Sequence, residues 1–257
     1  MQEPRVQREQ SMRKKEVEQI IKGAIGDSRS NLLEHEAKQI CLQYEIPVPE
    51  FVIAKSAGEA MQHANRVGYP TVLKIVSPDI LHKTEAGGVL VGLQDSESVR
   101  TGYDRILDNA RRYKPDAKVA GVLVQRMAPQ GTEVIIGAIK DPQFGQTVMF
   151  GLGGIFVEIM KDVTFRVAPI TETDATQMIH EIKAYPILKG YRNLPPADEQ
   201  TIVETLIRVS DLVMDFPEIS EVDLNPTMVY AKGASVVDAR IILDKSWIQD
   251  LDTAKSS

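Results

Sequence analysis

The sequence predicts an α+β protein built as two lobes, and three observations carry that reading. Strand-like and helix-like patterns interleave from Phe51 to Met127, closely spaced strand-like runs follow a break at Pro129-Gln130-Gly131, and a hairpin pattern closes the chain. A chain of 257 residues with 43% apolar content suffices for one large or two moderate domains with a proper core. The expected organisation is a charged helical extension over residues 1–30, a first lobe over 31–126, a second over 127–250 and a tail over 251–257.

The elements follow in order. Val17, Ile20, Ile21, Ala24 and Ile25 repeat at helical spacing, which predicts an amphipathic helix that docks on the body or on a partner. A second helix runs from Glu34 to Tyr44 and stops before Pro47 and Pro49. Strand Phe51–Ile53, helix Gly58–Val67, strands Thr71–Val76 and Gly88–Leu93, helix Ser96–Tyr113 and strand Gly121–Met127 complete the first lobe. Pro129-Gln130-Gly131 is the expected hinge. Beyond it come strand-like runs Glu133–Lys140, Gln146–Phe150 and Phe165–Ala168, then helices near Asp174–Ala184 and Asp198–Asp215. A hairpin of Glu221–Tyr230 and Ser235–Leu243, turning at Lys232-Gly233, ends the pattern, and no internal repeat or low-complexity segment interrupts it.

Composition narrows the function classes. A net charge of -6 argues against a nucleic-acid partner, because phosphate-backbone binding needs a basic face. Cys41 is the only cysteine, which excludes an internal disulfide and a cysteine metal cluster. No apolar run approaches membrane-spanning length, and the basic residues Arg13, Lys14 and Lys15 lack a following apolar core and cleavage site. The expectation is a cytoplasmic protein with no membrane partner.

Four segments carry residue types suited to nucleotide chemistry. His82 lies in Ser77-Pro78-Asp79-Ile80-Leu81-His82-Lys83-Thr84-Glu85-Ala86-Gly87-Gly88-Val89; imidazole is nucleophilic, Lys83 supplies a charge, and Gly87 and Gly88 let backbone approach an anion. A surface or hydrogen-bonding histidine is the plainer alternative. Lys74 interrupts the apolar strand Thr71–Val76, so it either meets an anion or lies on an edge strand facing water. In the closing hairpin, Glu221, Asp223 and Asn225 share a strand face, and Asp238 lies across from them. Two carboxylates and an amide oxygen make a hard site suited to magnesium, the alternative being a solvated polar face. Gln125, Arg126 and Met127 end a strand at the hinge, where backbone could pair with an adenine edge and Glu133 could accept ribose hydroxyls. Gly151-Leu152-Gly153-Gly154, with Lys161, Asp162 and Arg166 after it, offers a second anion site or only a turn.

In this order, a phosphate lysine, a linker strand for adenine and an acid–asparagine hairpin resemble an ATP-grasp protein over about Leu32 to Asp244. More closely, His82-Lys83-Thr84-Glu85-Ala86-Gly87-Gly88-Val89, Gly151-Leu152-Gly153-Gly154-Ile155-Phe156-Val157-Glu158, Phe165-Arg166-Val167-Ala168-Pro169 and Asp223-Leu224-Asn225-Pro226 resemble the β subunit of ADP-forming acetyl-CoA synthetase. The family is related to succinyl-CoA synthetase. The resemblance implies the ATP-grasp fold, two α+β lobes gripping a nucleotide, and an enzyme that converts acyl-CoA, phosphate and ADP reversibly into acid, CoA and ATP. It further implies an α subunit that binds CoA and carries a phosphohistidine, in an αβ pair or an α2β2 tetramer.

On the same resemblance, His82 relays the phosphoryl group and Lys74 holds ADP or ATP phosphates together with Lys83, Gly87, Gly88, Gly153 and Gly154. Gln125, Arg126 and Met127 line the adenine, Glu133 takes the ribose, and Asp223, Asn225 and Asp238 hold Mg2+. Arg240 and Arg166 stabilise the moving charge. No Rossmann fingerprint for CoA is present, so half an enzyme is expected. The rivals are another ATP-grasp carboxylate ligase, for which His82 is unnecessary, and a non-catalytic nucleotide-binding regulatory module.

Overall fold

The computed structural model describes residues 5–154, 161–191 and 195–247. Its chain divides into two compact units, one formed by Leu33–His35 and Pro49–Ala128, the other by Met1–Leu32, Glu36–Val48 and Pro129–Ser257. No helix among the described residues is long and apolar enough to cross a membrane.

The first unit is a four-stranded antiparallel sheet with two helices. Its strands are β1 (Phe51–Ala54), β2 (Thr71–Val76), β3 (Val89–Leu93) and β4 (Gly121–Arg126), in the spatial order β1-β4-β2-β3. In the numbering used here, α1 is Arg5–Gly26 and α2 is Glu34–Gln43, so the helices of this sheet are α3 (Ala57–Val67) and α4 (Ser96–Tyr113). Ser56 caps α3 through the Glu59 amide, and Asp95 and Ser98 form a capping box on α4, satisfying donors that a helix start leaves open. Both helices turn an apolar stripe to the sheet. Ala60, Ala64, Val99, Ile106 and Ala110 meet Leu73, Ile75, Val122 and Val124 in one core. Each fully buried Leu or Ile there contributes roughly 1.5–3 kcal/mol.

The second unit is built on a larger sheet. Strands β5 (Thr132–Asp141), β6 (Gly145–Leu152), β7 (Val163–Val167), β8 (Ile219–Val229) and β10 (Ala239–Leu243) run in the order β10-β8-β5-β6-β7, with β9 (Ala234–Val236) also pairing β8. Helices α5 (Glu172–Glu181) and α7 (Glu199–Asp215) cover one face, with the short α6 (Tyr185–Leu188) between them in the chain. Val134, Ile136, Ala138, Val148, Phe150, Val222, Leu224 and Ile241 point into that face, as period-two alternation requires.

The N-terminal helices belong here too. Val17, Ile21, Ala24 and Ile25 of α1 and Ala37, Ile40 and Cys41 of α2 join the same core as Leu206 and Val209 of α7. The expected extension over 1–30 is thus partly an integral core helix, and residues 36–48 pack with the second unit although they precede the first. Among the contacts that tie α2 and its following loop there, buried Lys38 donates to the Val237 carbonyl at 2.9 Å, and the Val236 amide donates to the Pro47 carbonyl at 2.8 Å.

The closing hairpin departs from a continuous return strand. Leu224 pairs Ala239 and Thr227 pairs Val236, with Val237 and Asp238 between the two ladders, opposite Asn225 and Pro226. Pro226 has no N–H to donate, so regular pairing stops there. The Asn225 amide donates to the Asp238 carbonyl at 3.2 Å and the Val237 amide to the Pro226 carbonyl at 2.9 Å, which holds Asp238 beside Asn225.

Candidate functional site

In the first unit, β2 is an interior strand and Lys74 is 5% exposed, so the edge-strand alternative fails. A buried ammonium requires a partner. Glu34, at the start of α2, provides it: Glu34 Oε1 accepts from Lys74 Nζ at 2.7 Å, and Glu34 Oε2 pairs with Lys83 Nζ. One buried carboxylate therefore holds both lysines that the sequence marked for phosphates. Sequence reasoning missed Glu34. The available signal was an acid set between apolar Leu32, Leu33 and Ala37 in a chain whose Lys74 needed a counter-charge.

His82 is exposed at the edge of this cluster, next to Lys83. The loop behind it closes on itself: the Ala86 amide donates to the His82 carbonyl, Gly87 to Thr84, and Gly88 to Lys83. Asn109 Nδ2 donates to the Gly87 carbonyl at 2.9 Å. The amides of Gly87 and Gly88 are thus engaged within the loop, so the expected close approach of this backbone to an anion has to do without these two donors. Their glycine character has another cause. Gly87 has φ +61, and a Cβ on Gly88 would come within 2.4 Å of the Ile75 side chain.

The adenine expectation changes in a similar way. Gln125 is fully buried, and β4 is hydrogen-bonded to β1 on one side and β2 on the other, so no strand edge opens at residues 122–125. Exposed groups begin at Arg126 and Met127, the latter 38% exposed.

In the second unit, cross-strand register defines the sheet face opposite the one that α5 and α7 cover. Arg240 lies opposite Asp223, Asp223 opposite Gly137, Gly137 opposite Met149, and Met149 opposite Phe165. Alternation along β5 places Glu133 on the same face as Gly137, and alternation along β8 places Asn225 with Asp223. Arg240 Nη2 donates to Glu221 Oε1 at 2.5 Å and to Asp223 Oδ2 at 3.3 Å. Asp223 Oδ1 is buried with no hydrogen-bond partner among the described residues. Burial pushes the Asp223 carboxyl above its ordinary value; the Arg240 guanidinium pulls it back, while the charges of Glu221 and Asp238 raise it further.

This chemistry fits magnesium. Among the described residues no three acidic, histidine or cysteine side chains gather as a metal cage. Two carboxylates and an amide oxygen, one carboxylate oxygen being buried without a donor, suit a hard cation that completes its shell with water and phosphate oxygens.

The remaining candidates separate. Arg166 lies opposite Val148, in the row of Ala138, Val222 and Ile241, and so on the helix-covered face rather than that of Asp223. Its guanidinium pairs with Glu181 at 2.5 Å, at the end of α5, so the two arginines expected to stabilise the moving phosphoryl charge, Arg166 and Arg240, lie on opposite faces of this sheet. Gly153 packs against Glu133, whose Cβ would lie 3.1 Å from an added Cβ, and its amide donates to the Glu133 carbonyl. Gly154 has φ +63 and is exposed. Asp162 is committed to the Lys183 and Ala184 amides, a purely structural use. Residues 155–158 of the glycine motif lie outside the described residues.

Known proteins similar to this chain in sequence and fold agree with one another. A family model described as ATP-grasp domain matches residues 23–243. The ADP-forming acetate–CoA ligase I subunit beta of Pyrococcus furiosus is 52% identical over 225 residues, covering 88% of this chain and 97% of that one. The solved structure of dinucleotide forming acetyl-coenzyme A synthetase 1 of Ca. Korarchaeum cryptofilum, in complex with coenzyme A, Ca-AMPCP and HgCl+, matches with a TM-score of 0.86 at 50% identity, covering 88% of this chain and 99% of that chain. A further structure of that synthetase, with coenzyme A and Mg-AMPPCP and its phosphohistidine segment pointing towards the nucleotide binding site, matches with a TM-score of 0.79 at 46% identity, over 89% of this chain and 100% of that one. With the family model spanning both sheets and a 52% identical relative aligned along nearly its whole length, the chain belongs to the ATP-grasp family, in the branch of the β subunits of ADP-forming acetate–CoA ligases.

Proposed function

We propose that this chain is the nucleotide-binding β subunit of an ADP-forming acyl-CoA synthetase and relays a phosphoryl group through His82 to ADP. The observation that carries the reading is an exposed imidazole beside Lys83, itself gathered with Lys74 on one carboxylate, in a chain 52% identical to a β subunit of this class. A CoA-binding α subunit completes the enzyme, as an α2β2 assembly. There, phosphate displaces CoA from acyl-CoA, and the acyl phosphate passes its phosphoryl group to an α-subunit histidine as the acid leaves. His82 attacks that phosphohistidine, the N–P bond to the α subunit breaks as the bond to His82 forms, and a terminal oxygen of ADP then takes the phosphoryl group.

This chain's residues divide the work by chemistry. Lys74 and Lys83 offset phosphate charge, Arg126 and Met127 flank the base, and Glu133 accepts ribose hydroxyls. Asp223, Asn225 and Asp238 would hold magnesium, which supplies charge neutralisation of the polyphosphate when bound. Arg240, held against Glu221 and Asp223, offers a guanidinium to phosphate oxygens.

Incubation of the chain with its α partner, magnesium and γ-labelled ATP tests the relay. The chain is expected to acquire label that is labile to acid and stable to base, and His82→Ala is expected to abolish it. An unlabelled chain, or label that survives His82→Ala, sinks the reading in favour of a ligase without a histidine relay.

A further inference from the structure

We propose that Glu34 is a positioning residue for the phosphoryl relay: it clamps Lys83 to Lys74 and so holds the loop that presents His82. The proposal deepens the relay reading and rests on it. Leu81 is 60% exposed and His82 is exposed, so this stretch of loop has little packing to fix it. Its anchors are the turn bonds from Ala86, Gly87 and Gly88, the Asn109 contact, the seat of Gly88 on Ile75, and the ion pair from Lys83 to Glu34. Of these, the last reaches the residue adjoining His82 from a separate element.

The carboxylate is required for its charge and for its two acceptors. Each Glu34 oxygen serves one ammonium, and the two lysines come from β2 and from the loop. A glutamine in its place keeps one acceptor and turns two N–H donors toward an ammonium, which has donors only. The ion pair to one lysine is then lost. Lys83, whose side chain is 20% exposed against 6% for Lys74, has the shorter path to water. The His82 loop would lose its tie while β2 stays in its sheet. Glu34 acts through Lys83 and needs no contact with nucleotide, so its loss lowers the rate of transfer more than the nucleotide affinity to which Lys83 contributes.

The experiment compares wild type, Glu34→Gln and Glu34→Asp, each with the α partner. In Glu34→Gln, the amides of Ala86, Gly87 and Gly88 are expected to exchange hydrogen about tenfold faster or more, with β2 and β4 unchanged. Acid-labile labelling of the chain and kcat are expected to fall about tenfold or more, KM for ADP to move less than about threefold, and Glu34→Asp to recover part of the rate. Unchanged exchange at residues 86–88, or labelling at the wild-type rate, overturns the proposal. If Glu34→Gln does not fold, Lys83→Met keeps the Glu34–Lys74 pair and must loosen the same amides; retained protection there overturns the clamp. A wild-type chain that takes no label overturns the relay reading and this proposal together, whereas a labelled wild type with an unaffected variant overturns this proposal alone.

Discussion

Asp223 is a carboxylate held against its own preference. Its Oδ1 is buried without a donor, and burial with nearby Glu221 and Asp238 raises its proton affinity despite Arg240. A raised acid costs stability once pH exceeds its unfolded value, and that cost vanishes when both states are protonated. Asp223→Asn is therefore expected to stabilise the chain by about 1 kcal/mol at neutral pH and by nothing below about pH 3.9, read from denaturant midpoints. The same change is expected to weaken magnesium-ADP binding about tenfold or more by calorimetry, because a charged ligand is lost. An unaltered affinity would remove Asp223 from the metal set. Such residues were legible because charge stands out in an apolar run: Lys74 within Thr71–Val76, and Asp223 between Val222 and Leu224. Glu34 was not. An acid in the first turn of a helix is ordinary, favoured by the dipole, and its apolar neighbours Leu32, Leu33 and Ala37 signal burial without revealing the two lysines it meets. Arg166 misled for the opposite reason, since its motif position says nothing about which sheet face its register assigns.

Elements were readable where period and punctuation coincide. The alternation of β5 and the stripe of α4 define their own faces, and Gly and Pro mark their ends. The break opposite Pro226 and the four-residue α6 carry no period and escaped, because interruption by a missing N–H and a single turn leave too few residues to repeat. One cap has consequences beyond its helix. Asp198 accepts from the Thr201 amide at the start of α7 and from the Gly233 amide in the β8–β9 turn, so it fastens helix to hairpin. The Gly233 amide first, then the Thr201 donors, hold the Asp198 carboxyl below its ordinary value. A depressed acid adds stability that is present above its unfolded pKa and lost as pH falls through the folded one. Asp198→Ala is expected to cost about 1–2 kcal/mol at neutral pH, and the gap to wild type should narrow as pH falls below about 3.9. A gap that is constant with pH would show that the hydrogen bonds from Gly233 and Thr201 do not depend on the charge.

At the scale of the molecule, chain order and core membership part company. Helical spacing in α1 and α2 says which face is apolar, yet not what covers it, so residues 36–48 read naturally as part of the lobe that follows them. The structure assigns them instead to the core of α5, α7 and the second sheet. Val17 is fully buried there and Ile21 is 2% exposed, although both precede the stretch matched by the family model, residues 23–243. If α1 were an accessory, truncating its apolar side chains would leave the second unit's stability unchanged. Burial argues otherwise: a buried valine cut to alanine loses two methyl groups and leaves a cavity in the core to which Ile40 and Leu206 also belong. Val17→Ala is expected to lower the unfolding free energy by about 1–3 kcal/mol, and deletion of residues 1–21 by more, since Ile21 goes with it. The chain's single tryptophan, Trp247, follows β10 in that unit and is 41% exposed, so its fluorescence reports the transition directly. A denaturant midpoint by Trp247 emission that is the same for wild type and Val17→Ala would return α1 to the role of a detachable extension; a shifted midpoint makes it the first element of the second core.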